Sequence, residues 1–236
     1  MKYSGGLVKK EREEIFKLFL EHTKLKFNEI EKALKIRSNM VSYHLEKMQE
    51  EGLLEKKDDS YTLTKKAERY LPIIPHITGQ ELSPLPIILV AVLNKDKILL
   101  IKRNKRPYQN YWSMMGGKML MEESFKDAAK RIVKEKTRLD ADYDCMSSVL
   151  YERVQGDDII KHGFILFFAK MTVKETELKF SQYGELKWFN IQDIEDAGII
   201  PSDLWLLKNK LNSKIDVIDA VMNENQGKLN DFTVLE

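Results

Sequence analysis

The chain has 236 residues, 43% hydrophobic and 32% charged, with a formal net charge of +2 and a single cysteine. That length allows one or two domains, each able to bury its own core, and the composition is that of a soluble globular protein. A near-neutral total excludes inferring a nucleic-acid binder from charge alone, and one cysteine excludes a disulfide framework.

Cys145 reads as a small core residue rather than a reactive thiol, and its isolation points to a reducing, cytoplasmic compartment. Residues 1–14 are dominated by Lys and Glu and show no secretory leader. The longest apolar run, Leu85 to Leu93 with Pro86 inside it, is far short of the roughly 20 residues a membrane span needs, so no membrane partner is expected. The first 80 residues carry 16 Lys and Arg against 13 Asp and Glu, a slight basic excess. Pattern rather than charge must therefore carry the reading.

From Lys9 to His22, Ile15, Phe16, Phe19 and Leu20 form an apolar stripe among Lys and Glu, which predicts an amphipathic helix. A second helix is predicted from Phe27 to Leu34. After Lys35-Ile36-Arg37-Ser38 a third opens with Ser38 as N-cap, buries Val41, Leu45 and Met48, and ends at Gly52. Strands Leu53 to Lys57 and Tyr61 to Thr64 follow around Asp58-Asp59-Ser60, then a closing helix from Lys65 to Leu71.

This order, with the stretch Val41-Ser42-Tyr43-His44-Leu45-Glu46-Lys47-Met48 and its continuation through Tyr61-Thr62-Leu63-Thr64, resembles the winged helix-turn-helix domain of prokaryotic regulators of the archaeal and ArsR-like type. The resemblance implies that the third helix enters the major groove of double-stranded DNA. There Arg37, Asn39, Ser42, Tyr43, His44 and Lys47 would reach bases and phosphates, and Lys56 and Lys57 on the wing would meet the backbone. A protein-protein adaptor is the alternative for this module. His44 has no second ligand at metal spacing, so no zinc site is expected.

Residues 73–86 hold Pro75, Gly79, Pro84 and Pro86 and are read as a semi-rigid linker between domains at 1–72 and 87–211. Beyond it, Ile87 to Leu93 and Lys97 to Arg103 are predicted strands around Asn94-Lys95-Asp96. Further strands are expected at Ser148 to Glu152, Lys161 to Met171 and Glu185 to Phe189, and helices at Ile191 to Ala197 and Ser202 to Leu211. In the tail, 212–236, Ile215, Ile218, Val221 and Met222 recur at helical spacing; a helix there would pack on the core or form a dimer seam.

Between these elements lies Gly116-Gly117-Lys118, then an acidic turn, Ser124 as a cap, and a helix with Phe125, Ala128, Ala129, Ile132 and Val133 inward. Gly117, Glu123, Arg131, Val133, Glu135 and Leu139 fall in register on the Nudix box, and the chain resembles that family over about residues 85–210. Three positions depart from it: Ile132 and Lys136 stand where the family has Glu, and Arg138 where it has Gly. The resemblance implies an α/β/α sandwich with a mixed sheet, so the whole is an α/β (α+β) protein of two domains.

Positions 132, 135 and 136 share one helix face. In the family that face holds magnesium against a diphosphate; here it carries Ile, Glu and Lys. The expectation is a DNA-binding regulator whose degenerate Nudix domain senses a nucleotide-diphosphate ligand such as ADP-ribose without a metal cofactor, as a homodimer. Arg103, Tyr111, Trp112, Gly116, Gly117, Lys118 and Lys136 are the candidate ligand contacts, Trp112 equally a core residue, with Glu123 and Arg131 a structural ion pair. The alternative is a magnesium-dependent Nudix hydrolase, catalytic through Glu123 and Glu135, with metal ligands Glu122, Glu123, Glu135 and Glu185.

Overall fold

The computed structural model describes residues 10–71, 83–156, 159–196, 198–225 and 228–235. The chain divides into two compact units, Met1–Ser83 and Pro84–Glu236. No helix among the described residues is long and apolar enough to cross a membrane.

The first unit runs α1 (Lys10–Leu18), β1 (Leu25–Lys26), α2 (Phe27–Leu34), α3 (Ser38–Glu50), β2 (Leu54–Lys57), β3 (Ser60–Leu63) and α4 (Lys65–Glu68). The strands form a small sheet in the order β1-β3-β2, the wing of a winged helix-turn-helix. Ile15, Phe16, Ile30, Val41, Leu45 and Met48 close its core. Between α2 and α3, Lys35 takes a left-handed conformation (φ 54) that stops α2 and turns the chain. Arg12, 5% exposed, pairs with Glu51 at 2.8 Å and ties α1 to the end of α3.

Several boundaries differ from expectation. The first helix stops at Leu18, leaving Leu20 44% exposed. Arg37 rather than Ser38 is the N-cap of α3; the Ser38 hydroxyl instead donates to Glu31 on α2. The closing helix ends at Glu68, not Leu71. The linker falls mostly at 72–82, outside the described residues.

The second unit comprises β4 (Leu85–Asn94), β5 (Lys97–Arg103), β6 (Trp112–Ser113), β7 (Met115–Gly117), α5 (Phe125–Thr137), β8 (Asp142–Gln155), β9 (Ile160–Thr172), β10 (Gly184–Asn190), a 3-10 helix (Ile191–Asp196), α6 (Pro201–Lys210), β11 (Asp219–Asn225) and β12 (Lys228–Leu235). The main sheet has the order β10-β5-β4-β9-β8, with β4 and β9 parallel and the other neighbours antiparallel. β6 adds to β5 and β7 to β4. Because both faces are covered, β4 is apolar almost throughout. Ile88, Val90 and Val92 face the layer with Ala129, Ile132 and Val133 of α5, while Leu89, Ala91 and Leu93 face Ile194, Leu206 and Leu207.

β4 begins two residues before the expected strand, with Pro86 in register opposite Ile165 of β9. A proline is tolerated near a strand's start, before β7 joins on the other side. The Ile191 helix is 3-10 and ends at Asp196; Ala197 lies outside the described residues. The tail is not helical: β11 and β12 form a separate two-stranded hairpin. Side chains alternating across the pair, with Val, Thr and Phe among them, favour a pleated ribbon over the helix that the spacing of Ile215, Ile218 and Met222 suggested.

Candidate functional site

The box is built by a loop clipped to a helix. Ser124 caps α5 by accepting from the Asp127 N–H at 3.1 Å. The Arg131 guanidinium donates to both oxygens of Glu123, Nε at 2.7 Å and Nη2 at 2.6 Å, and Nη2 also reaches the Lys118 carbonyl at 2.8 Å. The Leu120 N–H donates to Glu123 at 2.5 Å. Hydrogen bonds from Arg131 hold the Glu123 carboxyl below its ordinary range despite partial burial. Both side chains are spent on loop architecture.

The three departures from the family pattern each have a structural counterpart. Ile132 is 1% exposed, and a Cβ added to Gly117 would stand 2.7 Å from its Cγ1. Gly117 is thus required for close approach to an apolar side chain. Lys136 donates through Nζ to the Gly116 carbonyl and lies 5.7 Å from the Tyr183 ring centre. Burial, then the nearby Arg103 charge, lower its pKa to about 8. Arg138 occupies the left-handed C-cap of α5 at φ 68, a conformation that glycine adopts without strain.

This surface does not suit a divalent cation. An isoleucine and an ammonium replace two carboxylates, and the remaining Glu135 is exposed, with Arg131 at 3.4 Å. Among the described residues no three His, Cys, Asp or Glu side chains are grouped to hold a metal. Glu122, Glu123, Glu135 and Glu185 therefore do not assemble as the hydrolase alternative requires. Glu185 sits exposed on β10 opposite Lys102.

Beside the Gly pair opens a cavity of about 310 Å³. Its lining includes the cations Arg103, Lys118 and Lys136 and the apolar Ile87, Leu89, Phe164 and Leu166. The Arg103 Nε donates to the Pro107 carbonyl at 2.9 Å, placing its guanidinium 6.0 Å from the Tyr108 ring centre. Tyr108, in a left-handed conformation at φ 63, donates its hydroxyl to Glu152 at 2.6 Å. Burial and then that carboxylate push the phenol up. Asp203, near the start of α6, is 3% exposed and accepts from the Met114 N–H at 2.7 Å; burial pushes its carboxyl up to about 7. A separate depression lined by Lys130, Lys134, Asp142, Lys174 and Glu175 gathers exposed charges of both signs and no buried polar group.

Of the ligand contacts expected from sequence, Arg103, Gly116, Gly117, Lys118 and Lys136 line this cavity. Trp112 does not line it: its ring packs edge-on against Phe189, centroids 4.9 Å apart, within the core layer that also supplies the cavity's apolar wall. Tyr111, 48% exposed, faces a neighbouring depression with Arg153 and Pro201. Tyr108, Glu152 and Asp203 were missed, since they meet the site only through tertiary folding.

In the first unit, α3 exposes Asn39 and Tyr43, with Arg37 exposed at its N-cap and Ser42 and Lys47 half-buried. Lys47 donates to Glu50 at 2.5 Å, and that hydrogen bond raises its pKa. His44 is 2% exposed and so cannot read DNA. It stands three residues after Val41 and one before Leu45, on the buried stripe of the helix. Lys56 and Lys57 are exposed on β2, with Lys56 5.6 Å from the Tyr61 ring centre.

A winged helix-turn-helix joined to an α/β/α domain with a box-type loop and helix defines the class: a DNA-binding regulator module fused to a Nudix domain. The NUDIX domain family matches residues 84–207, and the chain belongs to it. Residues 9–56 match the bacterial regulatory protein, arsR family. A Bacillus subtilis protein described as the uncharacterized Nudix hydrolase YvcI is 27% identical over 109 residues, covering 46% of this chain and 67% of that protein. Among solved structures, a MutT protein from Bacillus halodurans is 22% identical, covering 63% of this chain and 96% of that one with a TM-score of 0.48. The Nudix domain of Shewanella oneidensis NrtR, solved with ADP ribose, is 14% identical, covering 56% and 92% with a TM-score of 0.44.

Proposed function

We propose that the chain is a DNA-binding transcription regulator whose Nudix domain binds a nucleotide-diphosphate-type ligand, such as ADP-ribose, and does not hydrolyse it. The observation that carries this is the replacement of the metal-holding face by a packed Ile132 and by Lys136, which lines the cavity together with Arg103 and Lys118. A diphosphate takes its counter-charge there from Lys136, Lys118 and Arg103, needing no metal cofactor. The base or sugar lies against the Ile87 and Phe164 wall and meets Glu152 and Asp203. An ammonium neutralises phosphate charge but cannot bind and acidify water, so no hydrolytic nucleophile forms. Arg37, Asn39 and Tyr43 read DNA, Lys56 and Lys57 hold its backbone, and the protein works in the cytoplasm as a homodimer.

The test is one preparation under two assays. ADP-ribose at about 100 times its dissociation constant should stabilise the fold by roughly 2.7 kcal/mol, with or without chelator. Salt-dependent gel shift on duplex DNA should weaken for all sequences with Lys56→Ala, its salt slope falling by about 0.9, and lose sequence preference with Arg37→Ala. Magnesium-dependent turnover of diphosphate compounds that Glu135→Gln stops would make the protein a hydrolase instead.

A further inference from the structure

The Lys136 ammonium is held without an acid beside it. It donates to the Gly116 carbonyl, and its Nζ lies over the Tyr183 ring, 5.7 Å from the centre. Among the described residues no carboxylate forms a salt bridge with it, and the adjacent Glu135 pairs with Arg131 at 3.4 Å. A carboxylate would cancel the charge that an anion needs, whereas a carbonyl and an aromatic face hold a cation and leave it cationic. Lys136 lines the cavity and Tyr183 does not, so the ring meets the ammonium from outside the space a ligand would fill.

The backbone around Tyr183 is tied down on both sides. Gly184 opens β10 opposite Arg103 of β5 at φ 152, and a Cβ there would stand 2.0 Å from the Lys102 carbonyl oxygen. Only glycine lets the strand begin this close to its neighbour. One residue earlier the Tyr183 N–H donates to the Ser181 hydroxyl oxygen at 3.3 Å, and the Gly184 N–H reaches the Ser181 carbonyl at 3.4 Å. Asn104, just after β5, donates to the Gln182 carbonyl at 2.9 Å. The ring is thereby fixed over an ammonium that the nearby Arg103 charge repels.

We propose that Tyr183 is a positioning residue of the anion site: its ring face, not its hydroxyl, holds the Lys136 ammonium at the cavity with its charge left for the ligand. What the charge receives rests on the nucleotide-diphosphate reading, whereas where the ammonium stands does not. A phenylalanine at 183 keeps the negative ring face that attracts a cation. A leucine covers the same lysine stem but offers the ammonium nothing on that side, and the Arg103 repulsion then goes unopposed. The ring and not the bulk of residue 183 is therefore what the site requires.

The test uses the full chain with Tyr183→Phe, Tyr183→Leu and Lys136→Met. Without nucleotide, the NMR resonance of the Lys136 Cε–H group, assigned by its absence in Lys136→Met, should be displaced by the ring current in the wild type and in Tyr183→Phe. In Tyr183→Leu it should return to the position of exposed lysines. Calorimetry with ADP-ribose should find Tyr183→Leu weaker by about 3- to 30-fold, the scale of one cation–π contact, and Tyr183→Phe within about twofold of the wild type. In Lys136→Met chains, adding Tyr183→Leu should change affinity no further, a coupling that a general loss of packing cannot imitate. A wild type that binds no ADP-ribose refutes the nucleotide reading, and the resonance still decides the contact. An undisplaced Lys136 resonance in the wild type, a loss in Tyr183→Phe as large as in Tyr183→Leu, or an undiminished leucine effect without Lys136 overturns the proposal.

Discussion

Restoring the family's acid at position 132 should unfold the box rather than revive an enzyme. Ile132 is 1% exposed, within the layer that holds Val90, Ala129 and Val133, and its Cγ1 lies where a Gly117 side chain would begin. Ile132→Glu forfeits about 2 kcal/mol of apolar burial. It also buries a carboxyl without an arranged partner, at about 1–3 kcal/mol for the neutral form. The sum is about 3–5 kcal/mol, or roughly 10 °C in the melting transition of a domain this size.

The cost also has a predicted pH dependence. Burial raises the new carboxyl's folded pKa above its unfolded value of about 4.3, so the variant's deficit is smallest below that pH. It grows by about 1.4 kcal/mol per pH unit up to the raised folded value. Calorimetric melts of wild type and variant from pH 4 to 8 measure this directly. A variant that melts with the wild type at pH 8, or gains magnesium-dependent hydrolysis, refutes the claim that this face has become core.

Lys136→Met should lower diphosphate affinity at least about tenfold, the scale of one charge-assisted hydrogen bond. Because the folded pKa of Lys136 is about 8, below the ordinary 10.5, wild-type stability should rise between those pH values while anion affinity falls; the variant should show neither in parallel titrations. Arg138→Gly relieves a left-handed cap and should stabilise by about 0.5–1 kcal/mol, read as a rise in melting temperature. Glu123→Gln should cost about 2 kcal/mol at neutral pH. The wild-type Glu123 pKa is depressed, so its contribution is present above the ordinary carboxylate value and lost as pH falls through the folded one, and the variant should differ least in acid.

Local periodicity made the helices and most strands legible. Val41, Leu45 and Met48 marked the inner face of α3, and the apolar run after Pro86 announced a strand, whose burial on both sides only the structure shows. His44 shows the limit of that reading: its imidazole suggested a DNA contact, yet its place three residues after Val41 already put it on the buried stripe. The tail failed for a related reason. Ile215, Ile218 and Met222 satisfy a helical period, but Val221, Phe232, Thr233 and Val234 on either side of Gly227 satisfy a strand pair, and the pairing partner lies outside any short window. The cationic half of the cavity was readable because Gly116 to Lys118 and Lys136 belong to one loop-helix motif. Its acidic half was not: Asp203 meets the Met114 N–H across 89 positions, and Glu152 meets Tyr108 across 44.

Those two halves explain each other. Lys136 is drawn down toward neutrality by burial and by Arg103, while Asp203 is drawn up toward neutrality by burial, so near neutral pH each lies close to its own titration. An enclosed charge is stabilised when a partner of opposite sign arrives and replaces the water it lost. A diphosphate at the Lys136 end supplies that partner and favours the ammonium, whereas a metal cluster at the same place would repel it. The lysine and the isoleucine are therefore a matched pair of changes. Ile132 removes the carboxylate that a cation needs and seals the helix against Gly117; Lys136 carries the positive charge on the protein itself. In the proposed reading, a site arranged this way binds an anion without the metal that would activate water to cleave it.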